Sequence, residues 1–169
     1  STPGFTTPPK GQESSGNTCP AGRRNAAAGR VHADRIKWRT FIHDRPPEVS
    51  DRSQFGHGES DSVLGAHGTG ALHTTIERVC RKLGAMKLPG VNAQATLEAQ
   101  LAIYARFPAH AVASVTAEDG SEFTWHYRLA DTIGVPTCFA DPYSAGQRGT
   151  NGHFNGRIRK YLPTRTSFA

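Results

Sequence analysis

An α/β fold is predicted for the larger part of this chain, and three observations predict it. Short runs rich in β-branched and apolar residues, punctuated by Gly and Pro, fill residues 61–88. A helical repeat of apolar positions follows over 92–107. Strand-like and helix-like stretches then alternate into the C-terminal segment, so the element order reads βββαβαβα.

Each element has a local reason. Asp61-Ser62-Val63-Leu64-Gly65 reads as a first strand stopped by its glycine, and 71–79 (ALHTTIERV) as a second. Residues 81–88 read as a third, ended by Pro89-Gly90. Asn92 is placed to cap a helix running to Phe107, with Ala95, Leu97, Leu101, Ile103 and Tyr104 on its apolar face and Pro108 beyond it. Residues 111–117 (AVASVTA) read as a buried strand, 121–132 as one helix followed by Gly134, and 136–140 as the fifth strand. A last helix is expected from about Thr150 to Tyr161, weakened by Gly152 and Gly156 at roughly 1 kcal/mol each relative to Ala.

Residues 1–44 are expected to be a basic, Pro/Gly/Ser-rich linker without order, carrying Arg23, Arg24 and Arg30. Trp38, Phe41 and Ile42, just before Pro46-Pro47, suggest a short extended segment that docks on the domain. The net charge of +6 is uneven. Residues 61–141 hold six Lys/Arg against eight Asp/Glu, whereas 142–169 hold five against none. A mildly acidic centre beside basic flanks suits a protein that gathers cations in the middle and a polyanion around them, although a solvated charged surface would read the same way. No run of eighteen apolar residues is present, so no membrane-spanning helix is expected. Cys19, Cys80 and Cys138 are odd in number and lack metal-like spacing, which reads as free thiols in a reducing cytoplasm. The histidines form no HExxH pair, and phosphate-loop and nucleophile-elbow motifs are missing, so zinc hydrolysis and serine acyl chemistry are poor readings.

The most specific stretch is 139–163, FADPYSAGQRGTNGHFNGRIRKYLP. It closely resembles the C-terminal signature ADPYSPWQRGTNENxNGLIRxYLP of bacterial insertion-sequence transposases, in the family numbered thirty. Gly56-His57-Gly58-Glu59-Ser60-Asp61 resembles that family's GHWEGD, and Thr116-Ala117-Glu118-Asp119-Gly120-Ser121-Glu122-Phe123 its T-x-D-N-G-x-E-F. The resemblance spans roughly residues 45–168. It implies an integrase-type catalytic core at 45–169, shortened at its C-terminus. It also implies a ribonuclease H-like fold with a mixed five-stranded sheet covered by helices.

The family's chemistry is DNA transposition by a DDE-type polynucleotidyl transferase. Phosphodiester cleavage and strand transfer need an activated oxygen nucleophile and charge stabilisation at the phosphate. Two Mg²⁺ or Mn²⁺ ions held by clustered carboxylates supply both. The resemblance makes Asp61 the first acid and puts Glu118 at the second, with Asp119 next to it as an alternative metal ligand. A solvated strand end at Asp61, and a plain helix cap at 118–122, are the bland readings of the same residues. The third acid falls on Gly152, which offers no ligand. His153 should be rotated by about 100° away on a helix, and Asn155 offers only a neutral carbonyl. Arg148, Asn151, Asn155, Arg157, Arg159 and Lys160 are the candidates for contact with double-stranded DNA, in a protein expected to act as a homo-oligomer.

These departures, with Gly58 and Ala145-Gly146 in place of family aromatics, imply impaired catalysis. The alternative function is a DNA-binding or multimerising remnant without catalysis. Gly84, in a buried-looking strand, raises a third reading in which the chain does not fold.

Overall fold

The computed structural model describes residues 36–142 and 144–168. The basic positions Arg23, Arg24 and Arg30, together with Cys19 and Tyr143, lie outside the described residues.

The three leading strands form an antiparallel meander: β2 (His57–Leu64), β3 (Ala71–Glu77) and β4 (Leu83–Leu88), after a two-residue β1 (Thr40–Phe41) and a single helical turn α1 (Pro47–Ser50). Gly70 closes the β2–β3 turn at φ +92°, and a Cβ there would come within 2.1 Å of the Leu88 carbonyl, so only glycine fits. Helix α2 (Ala93–Tyr104) follows, then β5 (Ser114–Ala117), α3 (His126–Ile133), β6 (Thr137–Phe139) and α4 (Gly149–Tyr161). The strands lie in the order β1-β6-β5-β2-β3-β4, with β5 and β6 parallel to β2. β2 is therefore central, with partners on both edges.

Alternation along β2 sends Gly58 toward Tyr104 of α2 and Glu59 toward Asn151 of α4, so helices cover both faces. On the α2 side, Ile103, Tyr104, Val115, Leu129 and Val135 form the principal core cluster. Asn92 caps α2 as expected, accepting from the Ala95 N–H at 2.9 Å. Gly134, at φ +71°, ends α3 in the left-handed conformation and returns its N–H to Ala130.

Three expectations change. The sheet has six strands rather than five, because Thr40–Phe41 pairs with Cys138 and Phe139 and satisfies the free edge of β6. Ile36 is buried with Ala117, Phe123 and Phe139, so the packed region starts upstream of residue 45. The helix expected over 121–132 is broken. A 3-10 turn at Ser121–Phe123 precedes α3, and the His126 ring meets the Lys37 carbonyl at 2.9 Å, which ties the break to the incoming N-terminal segment. Gly84 lies on β4 where α2 comes close. A Cβ there would meet Ile103 Cγ2 at 2.4 Å, so the glycine lets α2 lie close against β4.

His73 of β3 is fully buried against the Phe123 ring, 6.1 Å away, and among the described residues neither ring nitrogen has a hydrogen-bond partner. Burial lowers its imidazole from the ordinary value near 6.5 to about 4. As pH falls the unfolded chain takes up this proton first. The contribution of neutral His73 is thus full above about pH 6.5 and lost as pH drops toward 4, by up to ~3 kcal/mol. Urea melts at stepped pH should show this loss in the parent and a flatter profile over that window in His73→Leu.

Candidate active site

The β2–β5 register builds the site. Glu59 pairs with Thr116 across parallel strands. Asp61 and Glu118 each lie two residues further on, so they arrive side by side on the same face. Glu118 stands just past the end of β5 with its side chain half-exposed, whereas Asp61, within β2, is 22% exposed.

Arg148, at the entry to α4, lies between the two acids. Its Nη2 is ion-paired with Glu118 Oε1, and its Nη1 lies 3.4 Å from Asp61 Oδ2. Asn155 donates to the same Asp61 oxygen at 2.9 Å, and Asp61 Oδ1 accepts the Ser62 N–H at 2.7 Å. The sequence left Glu118 and Asp119 as alternatives for the second acid, and the geometry separates them. Asp119 turns to the other side, as the next residue of an extended chain must, and pairs with Arg39 at 2.6 Å.

The start of α4 is pinned by a buried network. Glu59, 1% exposed, accepts the Asn151 backbone N–H at 2.8 Å, and its own carbonyl takes the Asn151 side-chain amide at 2.9 Å. Arg78, also buried, approaches Glu59 at 3.4 Å. The Thr74 hydroxyl, opposite Asp61 in the β2–β3 register, lies within hydrogen-bond distance of the side-chain oxygens of Asn151 and Asn155. These contacts fix the rotation of α4 over β2.

That rotation decides where Gly152 points. It lies three residues before Asn155, which touches Asp61, and so shares a flank of the helix with it. Among the described residues, beyond its own helix backbone, a Cβ at Gly152 would meet no atom within 4 Å, so this position on α4 is exposed and open. His153 is exposed and its ring lies 5.9 Å from that of Phe154.

The candidate DNA contacts divide. Asn151 is fully buried, and Arg148 is 7% exposed and held by acids, so neither is open to a polyanion in this arrangement. Asn155 is taken up by Asp61, and Arg159 donates to the Leu64 carbonyl at 2.6 Å. Arg157 and Lys160 are exposed, with Arg157 lying over the Phe154 ring.

The donor set does not fit a pair of divalent ions. Asp61 and Glu118 share one guanidinium, the third position has no side chain, and among the described residues no group of three or more His, Cys, Asp or Glu could hold a metal. Sequence reasoning missed Arg78 and Arg39, which carry no motif signal. Thr74 was legible only through strand register.

No family model matches the chain. Its sequence is 36% identical over 128 residues to the transposase for insertion sequence element IS1086 of Cupriavidus metallidurans, covering 76% of this chain and 38% of that protein. It is 33% identical over 151 residues to the transposase for IS4351 of Bacteroides fragilis, covering 88% and 46%. It is 32% identical over 148 residues to transposase InsI for IS30C of Escherichia coli, covering 88% and 38%. The chain therefore spans less than half the length of these relatives. Among solved structures, the simian T-cell lymphotropic virus intasome in complex with PP2A regulatory subunit B56 gamma matches with a TM-score of 0.55 at 12% identity, over 62% of this chain and 38% of that one. The catalytic core domain of BIV integrase matches with 0.51 at 17%, over 64% and 68%. The chain is homologous to insertion-sequence transposases over most of its length, and its fold is that of the ribonuclease H-like integrase cores.

Proposed function

We infer that this relative of insertion-sequence transposases is a DDE-type catalytic core that engages double-stranded insertion-sequence DNA in the bacterial cytoplasm, as part of a homo-oligomer, with its strand chemistry impaired. The observation that carries this reading is the β2–β5 register, which sets Asp61 level with Glu118 at the foot of α4 while Gly152 leaves the neighbouring position bare.

Asp61 and Glu118 are the acids of the site, with Asn155 orienting Asp61 through a 2.9 Å hydrogen bond. The intact family site takes two Mg²⁺ or Mn²⁺ ions, which supply a nucleophile and charge stabilisation at the phosphate. Two acids sharing one arginine are too few for that arrangement. Exposed Arg157 and Lys160 on α4 supply phosphate contacts, which position DNA without reading its bases. The bare third position also favours the second reading, a remnant that binds DNA with no catalysis at all.

Fluorescence anisotropy on a labelled insertion-sequence-end duplex, over a salt series, tests the DNA reading. Binding should weaken log-linearly with salt. A parallel Mn²⁺ nicking assay compares the parent with Asp61→Asn, and no Asp61-dependent nicking is expected. Absent or salt-insensitive binding would contradict DNA engagement, and Asp61-dependent nicking by the parent would contradict the impairment.

A further inference from the structure

We propose that Arg148 is a built-in cation of this site: its guanidinium closes the Asp61–Glu118 pair and competes directly with divalent ions for those carboxylates. The proposal rests on reading Asp61 and Glu118 as the acids of the site, but it concerns ion binding and needs neither DNA nor turnover.

Geometry carries it. Arg148 is 7% exposed, with one terminal nitrogen ion-paired to Glu118 and the other 3.4 Å from Asp61. It is delivered from the backbone side by the 3-10 turn Ala145–Arg148, which runs directly into α4. Helix α4 is in turn fixed on β2 through Asn151 and the buried Glu59. The guanidinium is thus held in position, unlike a surface arginine that samples many rotamers.

Both oxygens of Asp61 are already engaged, Oδ1 by the Ser62 N–H and Oδ2 by Asn155 and Arg148. A small divalent ion must approach oxygens to about 2.0–2.1 Å and does not share them easily with an arginine at the same edge. Two carboxylates and one guanidinium leave one net negative charge, a weak lure for an ion that must also shed water. The open Gly152 position adds no further acid to tip the balance.

A purely structural salt bridge predicts something different. Removing Arg148 would then lower stability and leave ion affinity unchanged. Mn²⁺ binding, followed by the electron paramagnetic resonance signal of the free ion, separates the two. Arg148→Gln and Arg148→Met, checked for folding by circular dichroism melting, should each bind Mn²⁺ at least about tenfold more tightly than the parent. Arg148→Lys keeps the charge and should stay nearer the parent. Adding Asp61→Asn to either neutral variant should erase the gain.

Unchanged Mn²⁺ affinity in a folded neutral variant would overturn the proposal, as would a gain that survives Asp61→Asn. Micromolar Mn²⁺ binding by the parent, abolished by Asp61→Asn, would overturn it whether or not the neutral variants fold. Failure of DNA binding in the salt series leaves this result untouched, so the two claims fall separately.

Discussion

Gly152→Glu is expected to confer Mn²⁺-dependent nicking on insertion-sequence-end DNA, at a rate at least about 100-fold above the parent chain. The scale follows from metal centres generally, where loss of a partner merely supporting a ligand costs 10–100-fold. The position itself is favourable. A Cβ at residue 152 meets nothing within 4 Å among the described residues outside its own helix backbone, so a side chain can be added without displacing their packed atoms. Its flank of α4 is shared with Asn155, which already touches Asp61. The new carboxylate would raise the net charge around Arg148 from one negative to two, which shifts the competition toward a divalent ion. The substitution also replaces an exposed helical glycine, a change worth up to about 1 kcal/mol in favour of the helix. A gel assay on nicked and closed plasmid, with Asp61→Asn added as a control, reads the outcome. Equal rates in parent and variant would mean that some other part of the machinery has been lost.

Glu59→Ala should cost about 3–5 kcal/mol of folding stability, the scale seen when one partner of a buried ion pair is removed. The side chain is 1% exposed and faces Arg78, itself 5% exposed, so truncation leaves a buried guanidinium without its charge partner. It also strips the acceptor from the Asn151 N–H at the start of α4. The loss should therefore spread to α4. Hydrogen exchange in α4 should rise more than in α2, which packs on the opposite face through Ile103 and Tyr104. A chemical melt within about 1 kcal/mol of the parent would show that the network is not what fixes α4.

Much of this arrangement was legible because several segments carry both pattern and motif. The cap at Asn92, the stop at Gly134 and the order of strands and helices follow from local chemistry that tertiary packing did not override. The sixth strand was not legible as a strand. Thr40–Phe41 has no periodicity of its own and pairs only because β6 offers an open edge. The helix expected over 121–132 instead begins as a 3-10 turn and resumes at His126, whose ring meets the Lys37 carbonyl, a contact far away in sequence.

In the site, motif resemblance placed Asp61, Glu118 and the bare Gly152, but it could not choose between Glu118 and Asp119. Strand parity turns Glu118 toward Asp61 and Asp119 toward Arg39. Arg148 was singled out for contact either with DNA or within the fold, and it lies buried here between two acids. Nothing in a one-dimensional pattern distinguishes an arginine aimed at a phosphate from one aimed at a carboxylate inside its own fold.

The most direct measurement is anomalous diffraction at the manganese edge from Mn²⁺-soaked crystals of Gly152→Glu, with parent crystals soaked alongside. In the variant, an anomalous peak should lie within coordinating distance of both Asp61 and Glu118, with Arg148 withdrawn from between them. The parent should instead keep Arg148 in that place, without a peak there. Asp61 and Glu118 standing apart on different faces, or a fully occupied ion between them in the parent, would contradict the account.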